Sequence, residues 1–257
     1  MRYKRIDDII KYIYQNKSVT LDQICNNFSI SKSTIRRDLN EILKDTNIMK
    51  TYGGLTLNNV NNHNTKYLTS FSERNIENIE EKIKISEKAA SIVKENDIIF
   101  IDSGTTTFHM IDYLDKIKNL TVLTNNLEVI YRAVDYNNIN IISLSGSLNR
   151  ETLSFVGSTS ISTIKNFNIS KAFMATTGFS ISNGVTNSSP LESDIKRTVI
   201  SKSNKIILLA DSTKFNAVSL MTYCDLKDID ILITDKMPDK EISDYILNNN
   251  SNILLSK

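Results

Sequence analysis

Two units of different architecture are expected in this chain of 257 residues: a small helical unit closed by a β-hairpin, then a larger α/β unit on a mostly parallel sheet. Three observations lead there. Apolar residues at helix period, punctuated by capping residues, fill positions 6–43, and two short β-prone runs around Gly53-Gly54 follow. From residue 98 continuous apolar runs alternate with amphipathic ones, as strands covered on both faces alternate with helices in parallel α/β sheets. The charge is divided too. Residues 1–57 hold ten Lys/Arg against six Asp/Glu, while the whole chain holds 31 against 29. A basic head therefore precedes a slightly acidic body, and such a head suits an anionic partner.

Composition narrows the classes. With 40% hydrophobic and 23% charged residues, and only 7 Gly and 2 Pro, the chain reads as globular, not collagen-like, Pro-rich or linker-like. No apolar run approaches the roughly 18 residues of a membrane span, so no membrane partner is expected. The start, Met1 to Asp8, soon turns acidic and lacks the apolar core of a signal peptide. Cys25 and Cys224 fall in different units, which argues against a disulfide framework and for a reducing cytoplasm. The two histidines, His63 and His109, make no metal-ligand spacing with them; neither metal nor cofactor is expected.

The head reads as three helices. Ile6, Ile9, Ile10 and Ile13 recur on one helical face. Thr20 and Gln23 form a capping box for a second helix with Leu21, Ile24 and Phe28 inward. Ser31 caps a third, whose stripe is Ile35, Leu39, Ile42 and Leu43. Off that stripe lie Lys32, Ser33, Thr34, Arg36 and Arg37. Two short helices joined by a tight turn, the second basic in its first turns, form a helix-turn-helix. Arg can bond guanine bidentately, while Ser, Thr and Lys reach phosphates or base edges. The candidate DNA contacts are Ser31, Lys32, Ser33, Thr34, Arg36 and Arg37, with Lys50 and Tyr52 from the hairpin that would serve as the wing. The bland alternative is a solvated helix face; a winged helix that binds protein would lack salt-dependent DNA affinity.

Ser31-Lys32-Ser33-Thr34-Ile35-Arg36-Arg37-Asp38-Leu39 with Tyr52-Gly53-Gly54 resembles the DeoR family of bacterial transcriptional regulators. The family's Ser-x-x-Thr-Ile-Arg-Arg-Asp-Leu helix matches throughout. The wing departs from the family at Asn47 in place of Gly, Lys50 in place of Arg and Tyr52 in place of His. The resemblance implies binding to double-stranded operator DNA.

Residues 58–75, Asn-rich at 58–64, read as a connector between a head at 1–57 and a sensor unit at 76–257. A helix with Ile79, Ile83, Ala90 and Val93 inward follows. Strands are then expected at Ile98–Asp102, Leu120–Thr124, Ile139–Leu144, Lys171–Thr176, Lys205–Asp211, Ile229–Asp235 and Asn252–Leu255. Helices fall between them at Phe108–Leu114, Leu127–Val134 and Leu191–Ser201.

Ligands of open α/β sheets bind beyond the C-terminal ends of strands. There stand Asp102-Ser103-Gly104-Thr105-Thr106-Thr107, Thr124-Asn125, Ser145-Gly146-Ser147, Thr176-Thr177-Gly178 and Asp211-Ser212-Thr213-Lys214. Small hydroxyls, glycines and one lysine suit a phosphorylated polyol. Ser103–Thr107 is the strongest piece, because Gly104 allows close approach and the amides of a helix start favour phosphate. No Gly-Lys-Ser/Thr follows, so it is not a Walker loop. Taken alone, it reads equally well as an ordinary turn and Lys214 as a surface lysine; their joint placement favours a ligand.

Asp102-Ser103-Gly104-Thr105-Thr106, Thr124-Asn125, Phe155-Val156-Gly157 and Ala210-Asp211-Ser212-Thr213-Lys214-Phe215 resemble the same family, whose sensor domain is similar to ribose-5-phosphate isomerase and glucosamine-6-phosphate deaminase. This implies phosphate contacts from Ser103, Gly104, Thr105, Thr106, Thr107 and Lys214, and hydroxyl contacts from Asp102, Asn125 and Asp211. Gly146, Ser147 and Gly178 would complete the walls. Arg150 reads as a second anionic contact or a surface residue. The 101–107 run, with Gly184-Val185-Thr186-Asn187-Ser188 and Glu192, is similar to the branch repressing inositol catabolism. That branch implies a phosphorylated keto-deoxy-gluconate effector.

The expectation is a repressor of a carbohydrate-catabolism operon, a homodimer or homotetramer released by a phosphorylated sugar or sugar acid, and not an enzyme. The rival is a sugar-phosphate isomerase or deaminase-like enzyme with an attached DNA-binding head. Asp102, Asp211 and Glu192 could serve as its acid/base groups, and turnover of ribose 5-phosphate or glucosamine 6-phosphate would reveal it.

Overall fold

A computed structural model describes residues 2–16, 18–43, 48–51, 54–57 and 70–256. The chain divides into two compact units, Met1–Thr65 and Lys66–Lys257.

In the first unit α1 (Arg2–Asn16), α2 (Leu21–Asn27) and α3 (Lys32–Ile42) enclose a small core. Ile6, Ile9, Ile13, Ile24, Ile35, Leu39 and Ile42 are buried in it. A three-stranded sheet of β1 (Ser18–Thr20), β2 (Ile48–Thr51) and β3 (Gly54–Leu57) completes it, with β3 central and both pairings antiparallel. The capping box is present: Gln23 N–H donates to Thr20 Oγ1 at 3.1 Å, and Thr20 N–H to Gln23 Oε1 at 2.8 Å. Asn47, Tyr52 and Gly53 lie outside the described residues.

The second unit carries a seven-stranded parallel sheet. Its strands are β4 (Ile98–Ile101), β5 (Leu120–Thr124), β6 (Ile139–Ser143), β9 (Lys171–Ala175), β12 (Ile206–Leu209), β14 (Ile231–Thr234) and β15 (Asn252–Leu255). All seven expected strands are there, within two residues at each end. Their order is β15-β14-β12-β9-β4-β5-β6. From β4 the chain builds outward to β5 and β6, then crosses to β9 on the other side of β4 and builds the opposite way. The strand order therefore reverses between β4 and β9.

Both faces of the sheet are covered, which is why its strands read as continuous apolar runs. Phe100, Met174 and Leu208 point to one core with Ile164, Ile195, Val199, Ile242 and Ile246. Those residues come from α8 (Ser158–Ile164), α9 (Pro190–Ser201) and α10 (Lys240–Asn248). Ile99, Ile101, Ile207 and Leu209 point the other way, to Ile85, Ala89, Met110, Ile111, Val129 and Ala133. Those belong to α5 (Ile79–Ala90), α7 (Leu127–Ala133) and the 3-10 turn His109–Tyr113 that continues α6 (Thr105–Phe108). Two short antiparallel assemblies lie outside the main sheet, and the sequence pattern does not announce them. One is β7 (Ser147–Asn149) with β8 (Ser154–Val156); the other is β10 (Gly178–Ser180), β11 (Gly184–Asn187) and β13 (Met221–Cys224).

Two sequence expectations need correction. The end of the supposed connector is α4 (Phe71–Ile76), opened by a capping box between Ser70 and Glu73 and seated in the second unit. Phe71 is buried, its ring edge-on to Phe108 at 5.7 Å, and its N–H donates to the Glu151 carbonyl at 2.7 Å. One buried aromatic and one cap anchor a stretch whose composition looks polar. On α5 the buried stripe is Lys82, Ile85, Ser86, Ala89 and Ala90. Ile79 is 37% exposed and Ile83 only half-buried, because the helix turns a lysine, not these isoleucines, inward.

Candidate functional site

The α3 helix assigns a place to each residue of its motif. Ser31 is the N-cap, its Oγ accepting from Thr34 N–H at 3.2 Å and lying 2.8 Å from the Ser33 and Thr34 hydroxyls. Ile35 and Leu39 enter the core. Asp38 is buried and takes Arg5 Nε at 3.1 Å and Nη2 at 2.6 Å, which pins α1 to α3. Lys32, Ser33, Arg36 and Arg37 are exposed. Lys32 pairs with Asp22 of α2 at 2.6 Å, with both side chains in solvent, where such a pair contributes about 1 kcal/mol or less. The helix thus shows solvent a basic face whose back is fixed by core and cap. Lys50 lies in β2, but its side chain and all of Tyr52 lie outside the described residues.

The second site is a cavity at the C-terminal ends of β4 and β9, where the strand order reverses, the usual ligand position in such sheets. It is lined by the turn Ser103–Thr106, by Ala175–Thr177, and by Arg74, Glu77, Lys82, Asn187, Glu192, Lys196 and Lys214. About 560 Å³ is free of atoms, part of it open to solvent. Gly104 has a steric reason to be glycine: a Cβ there would lie 2.1 Å from Ala175 Cβ. The turn passes so close over β9 that no side chain fits. Gly157 is glycine for another reason, a φ of +121° at the N-cap of α8 with open space around it.

Of the residues expected at a ligand, the structure brings Ser103, Gly104, Thr105, Thr106 and Lys214 together on the cavity wall. Asp102, Thr107 and Asp211 are buried outside that lining. Thr107 Oγ1 donates to the carbonyls of Asp102 at 2.7 Å and Gly104 at 2.9 Å, closing the turn. Asp102 Oδ2 accepts from Ala175 N–H at 2.8 Å and from Lys196 Nζ. Asp211 caps the 3-10 turn Ser212–Lys214, its Oδ1 taking Thr213 N–H at 3.0 Å. Asn125 and Gly178 are buried away from the lining, and Asn125 Nδ2 donates to the Phe155 carbonyl at 3.3 Å. Gly146, Ser147 and Arg150 are exposed and do not line the cavity.

Three cationic residues on the wall are not among the expected contacts: Arg74, Lys82 and Lys196. Glu192 enters the sequence reading only as a carboxylate and a branch marker. The signal is nevertheless there. Glu192, Ile195, Lys196 and Val199 stand at i, i+3, i+4 and i+7 of α9, and all four are buried. On α5 Lys82 takes the same role beside Ile85, Ser86 and Ala89. A charge on an apolar stripe must find a partner or a ligand.

These charges are ordered. Lys196 and Asp102 form an ion pair with side chains 3% and 1% exposed, and Lys196 also donates to the Ala175 carbonyl at 3.0 Å. Glu192 Oε1 accepts from Ser103 Oγ at 3.2 Å and Ser154 Oγ at 2.7 Å, and its Oε2 from Asn187 Nδ2 at 3.2 Å. Burial works against its charge, but Lys196 and these donors win and hold the carboxyl below the usual range. Lys82 donates to the Arg74 carbonyl. Burial pushes the Lys82 ammonium down to about 8; Asp211 resists this, while Lys214 and Arg74 add to it. Arg74 is likewise lowered by burial, against the attraction of Glu192 and Asp102. Lys82, Lys214 and Arg74 thus crowd one pole of the cavity, where an anion relieves their repulsion. Glu192, Asn187, Thr176 and Thr177 offer hydrogen bonds to a polyol.

A helix-turn-helix with a basic outer face, joined in one chain to an α/β unit with a cationic, hydroxyl-lined cavity at its topological switch, defines a ligand-responsive DNA-binding regulator. Residues 5–61 match the DeoR-like helix-turn-helix domain and residues 77–236 the DeoR C terminal sensor domain. The chain belongs to the DeoR family. It is 38% identical over 245 residues to the HTH-type transcriptional regulator IolR of Bacillus subtilis, covering 95% of this chain and 96% of that one. The HTH-type transcriptional repressor GlcR of the same species is 30% identical over 254 residues, covering 99% and 96%. These relatives are transcriptional regulators, not enzymes. Ribose 5-phosphate isomerase A of Methanocaldococcus jannaschii aligns with 54% of this chain and 55% of its own, at TM-score 0.40 and 16% identity. Among the described residues no helix is long and apolar enough to cross a membrane.

Proposed function

We propose that the protein is a cytoplasmic repressor of a carbohydrate-catabolism operon, released from its operator by a phosphorylated sugar or sugar acid. The observation that carries this reading is the shared wall of Ser103–Thr106, Lys82, Lys214 and Arg74. The phosphate sits against the turn and the lysines, and the rest of the effector lies toward Glu192, Asn187, Thr176 and Thr177. Asp102 and Asp211 act from behind by fixing Lys196 and the Ser212–Lys214 turn. Resemblance to the inositol-catabolism branch makes phosphorylated keto-deoxy-gluconate the first sugar acid to test. On DNA, Arg36 and Arg37 reach base edges or phosphates from α3. A homodimer or homotetramer presents paired helices to half-sites about one helical turn, or a multiple of it, apart.

Calorimetry with ribose 5-phosphate, glucosamine 6-phosphate and phosphorylated keto-deoxy-gluconate, with gel shifts on the upstream region of its own operon, tests this. At least one compound should bind and weaken the operator complex by about 5–150-fold, the range of ordinary allosteric coupling. Operator binding unaffected by every phosphorylated compound would overturn the reading.

A further inference from the structure

We propose that His109 and Asn75 form a latch that positions α4 and ties the docking of that helix to occupancy of the cavity; this rests on the phosphate reading of the cavity. His109 has no metal-ligand partner in the sequence, and no cavity-lining role falls to it. It is nevertheless buried, packs tilted against Phe108 at 4.9 Å between ring centroids, and places Nε2 3.0 Å from Asn75 Oδ1. An amide oxygen only accepts, so the neutral ring carries its proton on Nε2 and donates it to α4.

Helix α4 has six residues, too few to persist without tertiary support. Its described supports are specific. Phe71 packs on Phe108 and bonds to Glu151. Lys82 holds the carbonyl of Arg74, and His109 holds the side chain of Asn75. These two tethers fall on Arg74 and on the residue after it, at the end of the helix whose Arg74 lines the cavity. One tether, Lys82, is itself a cavity-lining cation. An anion bound there engages Arg74 and Lys82 together, so the cavity and the docking of α4 share one equilibrium.

Hydrogen exchange of the full chain, with saturating inorganic phosphate compared with chloride at equal ionic strength, separates the latch from the phosphate site. In the wild type, phosphate should slow exchange at 103–106 and slow 70–76 by about tenfold. His109→Leu should keep the protection at 103–106 and lose the phosphate-dependent part at 70–76. His109→Gln, which retains a donor at the equivalent position, should restore it. If 103–106 gains no protection in the wild type, the phosphate reading falls and the latch with it. Protection at 103–106 with 70–76 unmoved, or an equal response of 70–76 in His109→Leu, overturns the latch alone. If His109→Leu does not fold, Asn75→Ala takes its place: it should lose the same protection at 70–76, and an undiminished response there overturns the latch.

Discussion

Helices α3 and α9 are of nearly equal length, 11 and 12 residues, and both carry several charges, yet they use them in opposite ways. In α3 the cations Lys32, Arg36 and Arg37 lie off the apolar stripe, exposed, and only Asp38 is turned inward, onto Arg5. In α9 the charges Glu192 and Lys196 lie on the stripe and are buried. A charge off the stripe can meet a large external partner at little cost to the fold. A charge on the stripe is part of the fold, and any ligand it serves must be enclosed. The two helices therefore separate function from stability in one unit and merge them in the other.

The sharpest way to break this contrast is to delete one charge of each kind. Lys196→Ala leaves Asp102 buried without its counter-ion, and removing one partner of a buried pair costs about 3–5 kcal/mol. Urea unfolding of the second unit should show that loss, and replacing both, Lys196→Met with Asp102→Asn, should cost less than the single change. Arg36→Ala should move stability by no more than about 0.5 kcal/mol. Similar destabilisation by the two single changes would remove the distinction.

A second, smaller effect concerns a charge on the cavity wall proposed to bind the effector without holding the fold. Lys214 lies on the cavity wall at the end of a half-exposed 3-10 turn. Losing a charged hydrogen bond to phosphate costs about 1.5–3 kcal/mol, so Lys214→Ala should weaken effector binding by about one to two decades in calorimetry. Operator affinity without effector should stay at the wild-type value. Unchanged effector affinity would take Lys214 out of the site.

On the DNA side the expected loss is similar or smaller. A bidentate arginine–guanine contact discriminates by about 1–3 kcal/mol, so Arg36→Ala or Arg37→Ala should weaken the operator complex by that much while leaving sugar-phosphate binding intact. Gel shifts across a salt series should give log-log slopes of about 0.9 per phosphate neutralised, and undiminished affinity in both variants would move DNA recognition off α3.

How much of this is legible in the sequence follows the same division. The head and the main sheet can be read because their signals are local: a capping box at Thr20 and Gln23, an off-stripe cluster at Arg36 and Arg37, and apolar runs such as Ile206–Leu209. The Ser103–Thr106 turn and Lys214 stand out because strand ends are where sheets bind ligands. Arg74, Lys82 and Lys196 escape because each is brought to the cavity by a long-range contact, and because charges within a helix pattern read as solvated. Gly146, Ser147 and Arg150 share the strand-end signature, yet β6 is an edge strand, remote from the reversal between β4 and β9 where strand ends become a pocket. Strand order is a long-range property, and the polar Asn140 and Ser143 of β6, against the wholly apolar β4, are the only local hint of its edge position.

The smallest expected effect tests the contrast through pH. Burial lowers the ammonium of Lys82 to about 8, so it is charged below that value and neutral above it. A phosphate monoester is already dianionic above pH 7, its second pKa being about 6, so the ligand's own charge does not change in the range of interest. An anion binds the charged lysine better. Relative to pH 7, effector affinity should therefore be about twofold lower at pH 8 and fall about tenfold per unit beyond, until the raised pKa of the occupied site is reached. Lys82→Arg, with a cation that stays charged, should flatten the profile. Operator binding without effector should show no such step between pH 7 and 9. A flat effector profile in the wild type, or a matching step in operator binding without effector, would mean that the on-stripe lysine does not sense its burial as the structure implies.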